Sequence, residues 1–158
     1  MSKRAKDLSM RLQAFTDDVV GFVEGCSDAD WLKVCQEDWT VGVTARHIGA
    51  GHFKVIGLAK MIVNGEKLPE MTRPQLIDLA NAHAREHAGC TRKQVVDVLR
   101  QTGTSLVGYV AGLSDADLDR TGHMALLGGS VSTQQFLEAV ILGSGGEHLA
   151  SMKAALAA

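Results

Sequence analysis

Cysteine, proline and aromatic residues are scarce in this sequence. Its 158 residues include three cysteines, two prolines, four phenylalanines, two tryptophans and one tyrosine. The cysteines, Cys26, Cys35 and Cys90, are odd in number and form no C-x-x-C pair, which argues against a disulfide framework and predicts a reducing, cytoplasmic environment. With so few prolines, and with alanine, leucine and valine dominant, the composition favours helices.

The sequence also lacks a strong charge excess and a long apolar run. The formal net charge is -2, which provides no electrostatic reason to expect nucleic acid as a partner. The apolar runs are too short to span a membrane, and the charged N-terminus has no apolar stretch typical of a signal peptide. The length predicts one domain over residues 1–158.

Apolar residues recur at alternating spacings of three and four, which is typical of amphipathic helices. This pattern predicts four long helices, over about 4–25, 41–64, 92–113, and from 132 or 133 nearly to the C-terminus. A helical segment over about 74–88 lies between the second and third, and a short extended pair falls within 119–131. The predicted fold is therefore all-α, a four-helix bundle with a long crossover between helices 2 and 3.

Two histidines fall on the apolar stripes of these helices. Thr40 is expected to cap the second helix, with Trp39 packing just outside its start, and His47 follows two turns later. His148 shares the inner face of the last helix. A buried imidazole needs hydrogen-bond partners or a metal, since an unsatisfied polar group costs roughly 1–3 kcal/mol. Both a hydrogen-bonded core role and a metal-binding role stay open.

The remaining histidines are weaker candidates. His52 follows His47 by five residues, about 140° around an α-helix, so helix geometry alone predicts that it lies at an edge and does not share ligands with His47. His83 and His87 have the i, i+4 spacing that can hold one metal, but their charged neighbours favour a solvated face or a cavity wall. His123 lies in a predicted loop without an identifiable partner.

Glycines cluster around both inward histidines. They are Gly49 and Gly51 in the second helix, and Gly143, Gly145 and Gly146 in the last. Because glycine inside a helix costs about 1 kcal/mol relative to alanine, they need a structural reason. The pattern predicts either close helix approach or a cavity beside the histidines.

These motifs resemble those of the DinB-like family, which includes the N-terminal domains of mycothiol-dependent maleylpyruvate isomerases and the bacillithiol transferases. The resemblance rests on Trp39-Thr40-Val41 with His47 eight residues after the tryptophan, on Asn81, and on Glu147-His148-Leu149-Ala150. It covers nearly the whole chain. It implies a four-helix bundle that binds a divalent metal, nickel or zinc, at one end.

The resemblance also implies a ligand set. The family takes one histidine from helix two and an H-x-x-x-H or E-x-x-x-H pair from helix four. On this chain His47 matches the first ligand and His148 the last, and the middle position falls on Ser144. A serine hydroxyl is a poor ligand beside imidazole, so the site is expected to be completed by water, Glu147 or His83, or to be empty.

Two functions follow as hypotheses. The first is a metal-assisted, thiol-dependent transferase or isomerase that acts on a small-molecule thiol or its adduct. The second is a non-catalytic binding or dimerisation module with a degraded metal site. A metal-free enzyme using His148 as a base beside Ser144 has less support, because no orienting acid is evident. Under each hypothesis the chain is expected to form a homodimer.

Overall fold

Four long helical segments form the body of the structure, a computed structural model that describes residues 2–158. The first is α1 (Lys3–Gly25) and the third is α6 (Arg92–Ala111). The second segment comprises α3 (Val41–His47), a π-helix (Ile48–His52), a 3₁₀ turn (Phe53–Val55) and α4 (Ile56–Val63). The fourth comprises α8 (Thr133–Leu137), a π-helix (Glu138–Ser144) and α9 (Gly145–Ala157). The predicted four-helix bundle is confirmed.

Shorter elements connect these segments. They are α2 (Asp28–Trp31), α5 (Arg73–Glu86), α7 (Asp115–Asp119), β1 (Thr121–Met124), a 3₁₀ turn (Ala125–Leu127) and β2 (Gly129–Ser132). The strands β1 and β2 pair antiparallel, with Thr121 opposite Ser132 and Met124 opposite Gly129. The predicted extended pair is therefore confirmed, and so is the long crossover, which contains α5.

Side-chain caps begin several helices, including the one that Thr40 is predicted to cap. The Thr40 hydroxyl accepts a hydrogen bond from the Val43 N–H at 3.2 Å and begins α3. Ser27, Thr91 and Ser132 form capping boxes at the starts of α2, α6 and α8. These bonds satisfy backbone donors that have no partner inside a helix, and so they define where each helix starts.

One apolar core joins the four segments. It includes Leu8 and Val19 from α1, Ile48 and Phe53 from the second segment, Leu99 and Leu106 from α6, and Phe136 and Ile141 from the fourth, all fully buried. Among the described residues, no helix combines the length and the apolar content needed to cross a bilayer.

The approach of α1 to α6 depends on Gly103. A Cβ atom at this position would lie 2.6 Å from Cγ2 of Thr16. Thr16 cannot turn away freely, because it is buried and its hydroxyl donates to the Leu12 carbonyl at 2.9 Å. The small residue therefore allows the two helices to pack closely.

Gly103→Ala is expected to lower the free energy of unfolding by about 1–3 kcal/mol, because the added methyl overpacks the helix contact. Gly108, in the same helix, is a matched control with open space around its Cα. Gly108→Ala should raise stability by about 0.5–1 kcal/mol through helix propensity alone. Urea unfolding followed by circular dichroism measures both, and equal effects of the same sign would contradict the packing argument.

Candidate metal site

Three histidines converge at one end of the bundle. His47 and His52 come from the second helical segment and His148 from the fourth, and one nitrogen of each ring lies within 4.8 Å of the others. The ring centroids form a nearly equilateral triangle, with separations of 4.9, 5.0 and 5.0 Å. The structure thus brings His47 and His148 together and adds His52, so the cluster could hold a metal ion.

The prediction that His52 lies at an edge, away from His47, is wrong. It assumed a regular α-helix, in which residues five apart diverge by about 140°. The chain instead forms a π-helix over Ile48–His52, where the Phe53 N–H donates to the Ile48 carbonyl five residues earlier. The wider π turn brings residues five apart to similar sides of the helix. His52 is consequently buried beside His47 rather than exposed.

Hydrogen bonds hold two of the rings by Nδ1. Nδ1 of His52 lies 2.8 Å from the Val140 carbonyl, within the π-helix of the fourth segment. Nδ1 of His148 lies 2.6 Å from Oε2 of Glu37. Because a carbonyl or carboxylate oxygen accepts, each Nδ1 carries a proton. Nε2 is therefore the nitrogen that each ring can offer to a metal.

Glu37 belongs to the candidate site, and the sequence did not predict it. Its second carboxylate oxygen accepts from the Ser151 hydroxyl, which in turn accepts from the Gln36 N–H at 3.2 Å. The Glu37–His148 pair is mostly buried, with the two side chains 15% and 17% exposed. A carboxylate behind a ligating histidine is a recurrent arrangement in metal sites. The sequence signal that could have identified Glu37 is its position as an acidic residue in the loop just before Trp39.

Trp39 forms a wall of the site and ties a further helix to it. Its ring centroid lies 5.0 Å from that of His47 and 6.1 Å from that of His148. Its indole N–H donates to Oδ1 of Asn81 in α5 at 3.0 Å. The crossover helix is thereby anchored beside the histidines, which gives Asn81 a structural role.

Burial keeps two of the histidines neutral. Desolvation, followed by the proximity of His52, His148 and His83, lowers the pKa of His47 from 6.5 to about 3. Desolvation also dominates at His52, where the pKa falls to about 4 despite the opposing hydrogen bond to Val140. Metal ligation requires neutral imidazole, so both side chains are in the binding-competent form at neutral pH.

The cluster fits a divalent metal. With Zn–N bonds of about 2.0–2.1 Å at tetrahedral angles, three imidazoles have ring centroids about 5 Å apart. The observed separations of 4.9 to 5.0 Å match this arrangement. Three protein nitrogens with a free fourth position are the donor set of catalytic rather than structural zinc sites.

The glycines in the second segment allow close packing at the site. A Cβ at Gly51 would lie 3.2 Å from the His47 ring, and one at Gly49 would lie 3.1 Å from Val98 and Leu99 of α6. In the fourth segment, a Cβ at Gly145 would lie 3.2 Å from the Phe15 ring. At Gly49 and Gly145 the predicted close approach of helices is the explanation, whereas Gly51 leaves room for the His47 ring of its own segment.

The other candidate residues lie elsewhere or keep an untested role. Ser144 is half-buried at the end of the second π-helix, and its part in metal binding stays a prediction. The rings of His83 and His87 are in contact in a tilted arrangement, with 4.5 Å between their centroids, and His83 is hydrogen-bonded to Arg46. His123 lies in β1 opposite Ser130.

The metal-free protein is expected to lose stability as pH falls below about 6.5. The folded-state pKa values of His47 and His52 lie well below the unfolded value of about 6.5, so between roughly pH 6.5 and 4 only the unfolded chain binds these protons. The stability that depends on keeping these two histidines neutral is complete above pH 6.5 and decreases as the pH falls toward 4. Urea unfolding at several pH values measures this loss of stability. His47→Asn should reduce the slope of the free energy of unfolding against pH. An unchanged slope would count against the burial argument.

The fold and this site define a class: a four-helix bundle in which three histidines at one end could hold a metal. The model of the DinB superfamily matches residues 11–151, and the chain belongs to that superfamily. A solved structure from Bacillus subtilis, YfiT, is similar, with a TM-score of 0.77 at 15% identity. The match covers 98% of this chain and 87% of that one. YfiT is described as a probable metal-dependent hydrolase with an unusual four-helix bundle topology. No curated protein matches the chain.

Proposed function

We propose that this protein is a metal-dependent enzyme that activates a small nucleophile, water or a thiol, at the site formed by His47, His52 and His148. The observation that carries the proposal is the convergence of the three rings, two of them held by Nδ1 so that Nε2 stays available. Zinc or nickel suits three imidazole ligands. Such a metal, when bound, lowers the pKa of a coordinated water or thiol.

The protein groups have separate roles in this proposal. The three imidazoles bind the metal, and burial keeps His47 and His52 neutral. Glu37 keeps the proton of His148 on Nδ1 and fixes the orientation of its ring, and Ser151 holds Glu37 in place. Trp39 covers one side of the cluster and limits access of water from that direction. A substrate would approach at the coordination position that the three imidazoles leave free.

The third ligand is assigned to His52 instead of Ser144. The alternative of a non-catalytic module with a degraded site depends on the absence of a third ligand, and His52 supplies one. Hydrolysis is supported by the likeness to YfiT, and thiol transfer by the resemblance to the thiol-dependent DinB-like enzymes. Both reactions need the same metal-activated nucleophile. The homodimer stays a prediction, which light scattering at high concentration tests.

The proposal predicts metal-dependent turnover. Protein purified without an affinity tag and loaded with zinc or nickel is assayed on activated esters, and on alkylating electrophiles with a small thiol such as cysteine. We expect turnover that chelation removes and metal restores, and that His148→Ala abolishes. Metal binding without turnover in either assay would favour the binding-module alternative.

A further inference from the structure

A basic cluster lies beside the three histidines and is not used in the proposed chemistry. Arg46 precedes His47 in α3, and its Nη1 lies 2.6 Å from Nε2 of His83 in α5. His87 lies one turn further along and contacts His83 with its ring tilted by 48°. A guanidinium only donates, so His83 accepts at Nε2 and is neutral. Desolvation, reinforced by Arg46, also lowers the pKa of His83.

The positive charge of Arg46 has no counterion. Among residues 2–158, no carboxylate oxygen lies within 4.0 Å of the Arg46 guanidinium, so Arg46 forms no ion pair with them. The guanidinium has five N–H donors, and the bond to His83 uses one of them. Arg46 is half-buried, and a partly desolvated charge is unfavourable without a partner. An external anion would satisfy both the charge and the remaining donors.

The charges around the cluster favour a single negative group. The groups that act on His83 are Arg46, His87 and Lys54, which are basic, and Glu86, which is acidic. Lys54 and Glu86 are exposed and opposite in sign, whereas Arg46 is the half-buried fixed charge beside His83. One planar guanidinium matches one carboxylate, which it can bind through two parallel hydrogen bonds.

The cluster is close to the metal site. The bond between Trp39 and Asn81 anchors α5 beside the three histidines. His83 is also near enough to contribute to the lowered pKa of His47. A small molecule held at Arg46 by one end would therefore lie close to the proposed metal site.

We propose that Arg46, positioned by His83, binds a carboxylate of the substrate, and that the substrates are small carboxylic acids. As a statement about substrates, this rests on the proposed enzymatic function. The anion site itself involves none of the three metal-binding side chains, so it can be tested separately.

The test uses the metal-free protein and sodium acetate as the probe. Side-chain NMR signals of ¹⁵N-arginine are followed during titration, with sodium chloride at equal ionic strength as the reference. We expect a saturable shift of the Arg46 Nε–H signal with acetate. In Arg46→Gln, acetate binding measured by saturation-transfer NMR should weaken roughly tenfold or more, because a charge-assisted pair is lost. Arg46→Lys keeps the charge without the planar fork and should show intermediate binding.

Two variants separate this proposal from the metal site. Arg85→Gln removes an exposed arginine of the same helix as His83 and should leave acetate binding unchanged. His148→Ala should also leave it unchanged although it removes a metal ligand. Saturable acetate binding in both variants, together with no turnover by the metal-loaded wild type, would retain the anion site and reject the enzyme. Shifts no larger than those with chloride, or undiminished acetate binding in Arg46→Gln, would overturn the anion site. Inorganic phosphate binding more tightly than acetate would overturn its assignment to carboxylates.

Discussion

Replacing His52 with alanine is expected to weaken zinc or nickel binding by roughly 100-fold or more, since one of three ligands is lost and even indirect partners of ligands contribute 10–100-fold. Titration calorimetry of wild type and variant measures the change. His52 is buried and bonded to the Val140 carbonyl, so its removal also costs stability. His52→Gln keeps a hydrogen-bond donor near that carbonyl. It therefore serves as a control that separates the loss of a ligand from a loss of affinity through misfolding.

The matched control is Ser144→Ala. The resemblance to the DinB-like family places a ligand at Ser144, whereas the geometry of the cluster supports His52 in that role. We expect Ser144→Ala to bind metal as wild type does. The opposite result would be weaker metal binding by Ser144→Ala and unchanged binding by His52→Ala. It would identify Ser144 as the third ligand and contradict a three-histidine site.

Glu37→Gln should lower metal affinity by roughly 10–100-fold while all three ligands remain. The glutamine amide is nearly isosteric with the carboxylate, so the change removes its charge and weakens its hold on the Nδ1 proton of His148. Ser151→Ala should have the same sign and a smaller effect, because Ser151 acts only through Glu37. Competition titration with a chromogenic chelator resolves differences of this size.

Glu147→Gln is the control for Glu37→Gln. Glu147 adjoins His148 in the chain and is exposed, and the sequence offered it as an alternative ligand. If Glu37 acts through His148, neutralising Glu147 should leave affinity within about twofold, the small change expected from a single exposed charge. Comparable losses in both variants would show that the effect is general electrostatics and not orientation of His148.

The architecture was predictable because it depends on local and periodic signals. Alternation of apolar residues by three and four marked the long helices, and the Thr40, Thr91 and Ser132 caps are short-range hydrogen bonds that a sequence reveals directly. The same periodicity placed His47 and His148 on inward faces. Their convergence followed from the bundle, since helices that share a core direct those faces toward each other.

Only the tertiary structure decided how the site is completed. His52 joins it because the chain adopts a π-helix over Ile48–His52, an irregularity that the apolar periodicity of the sequence does not mark. Glu37 reaches His148 across 111 positions of sequence, from a loop whose shape depends on long-range bonds. Periodicity assigns a residue to a face of a regular helix. It carries no information about where a helix departs from regularity or which distant loop approaches it, because those outcomes depend on contacts that form only when the chain has folded.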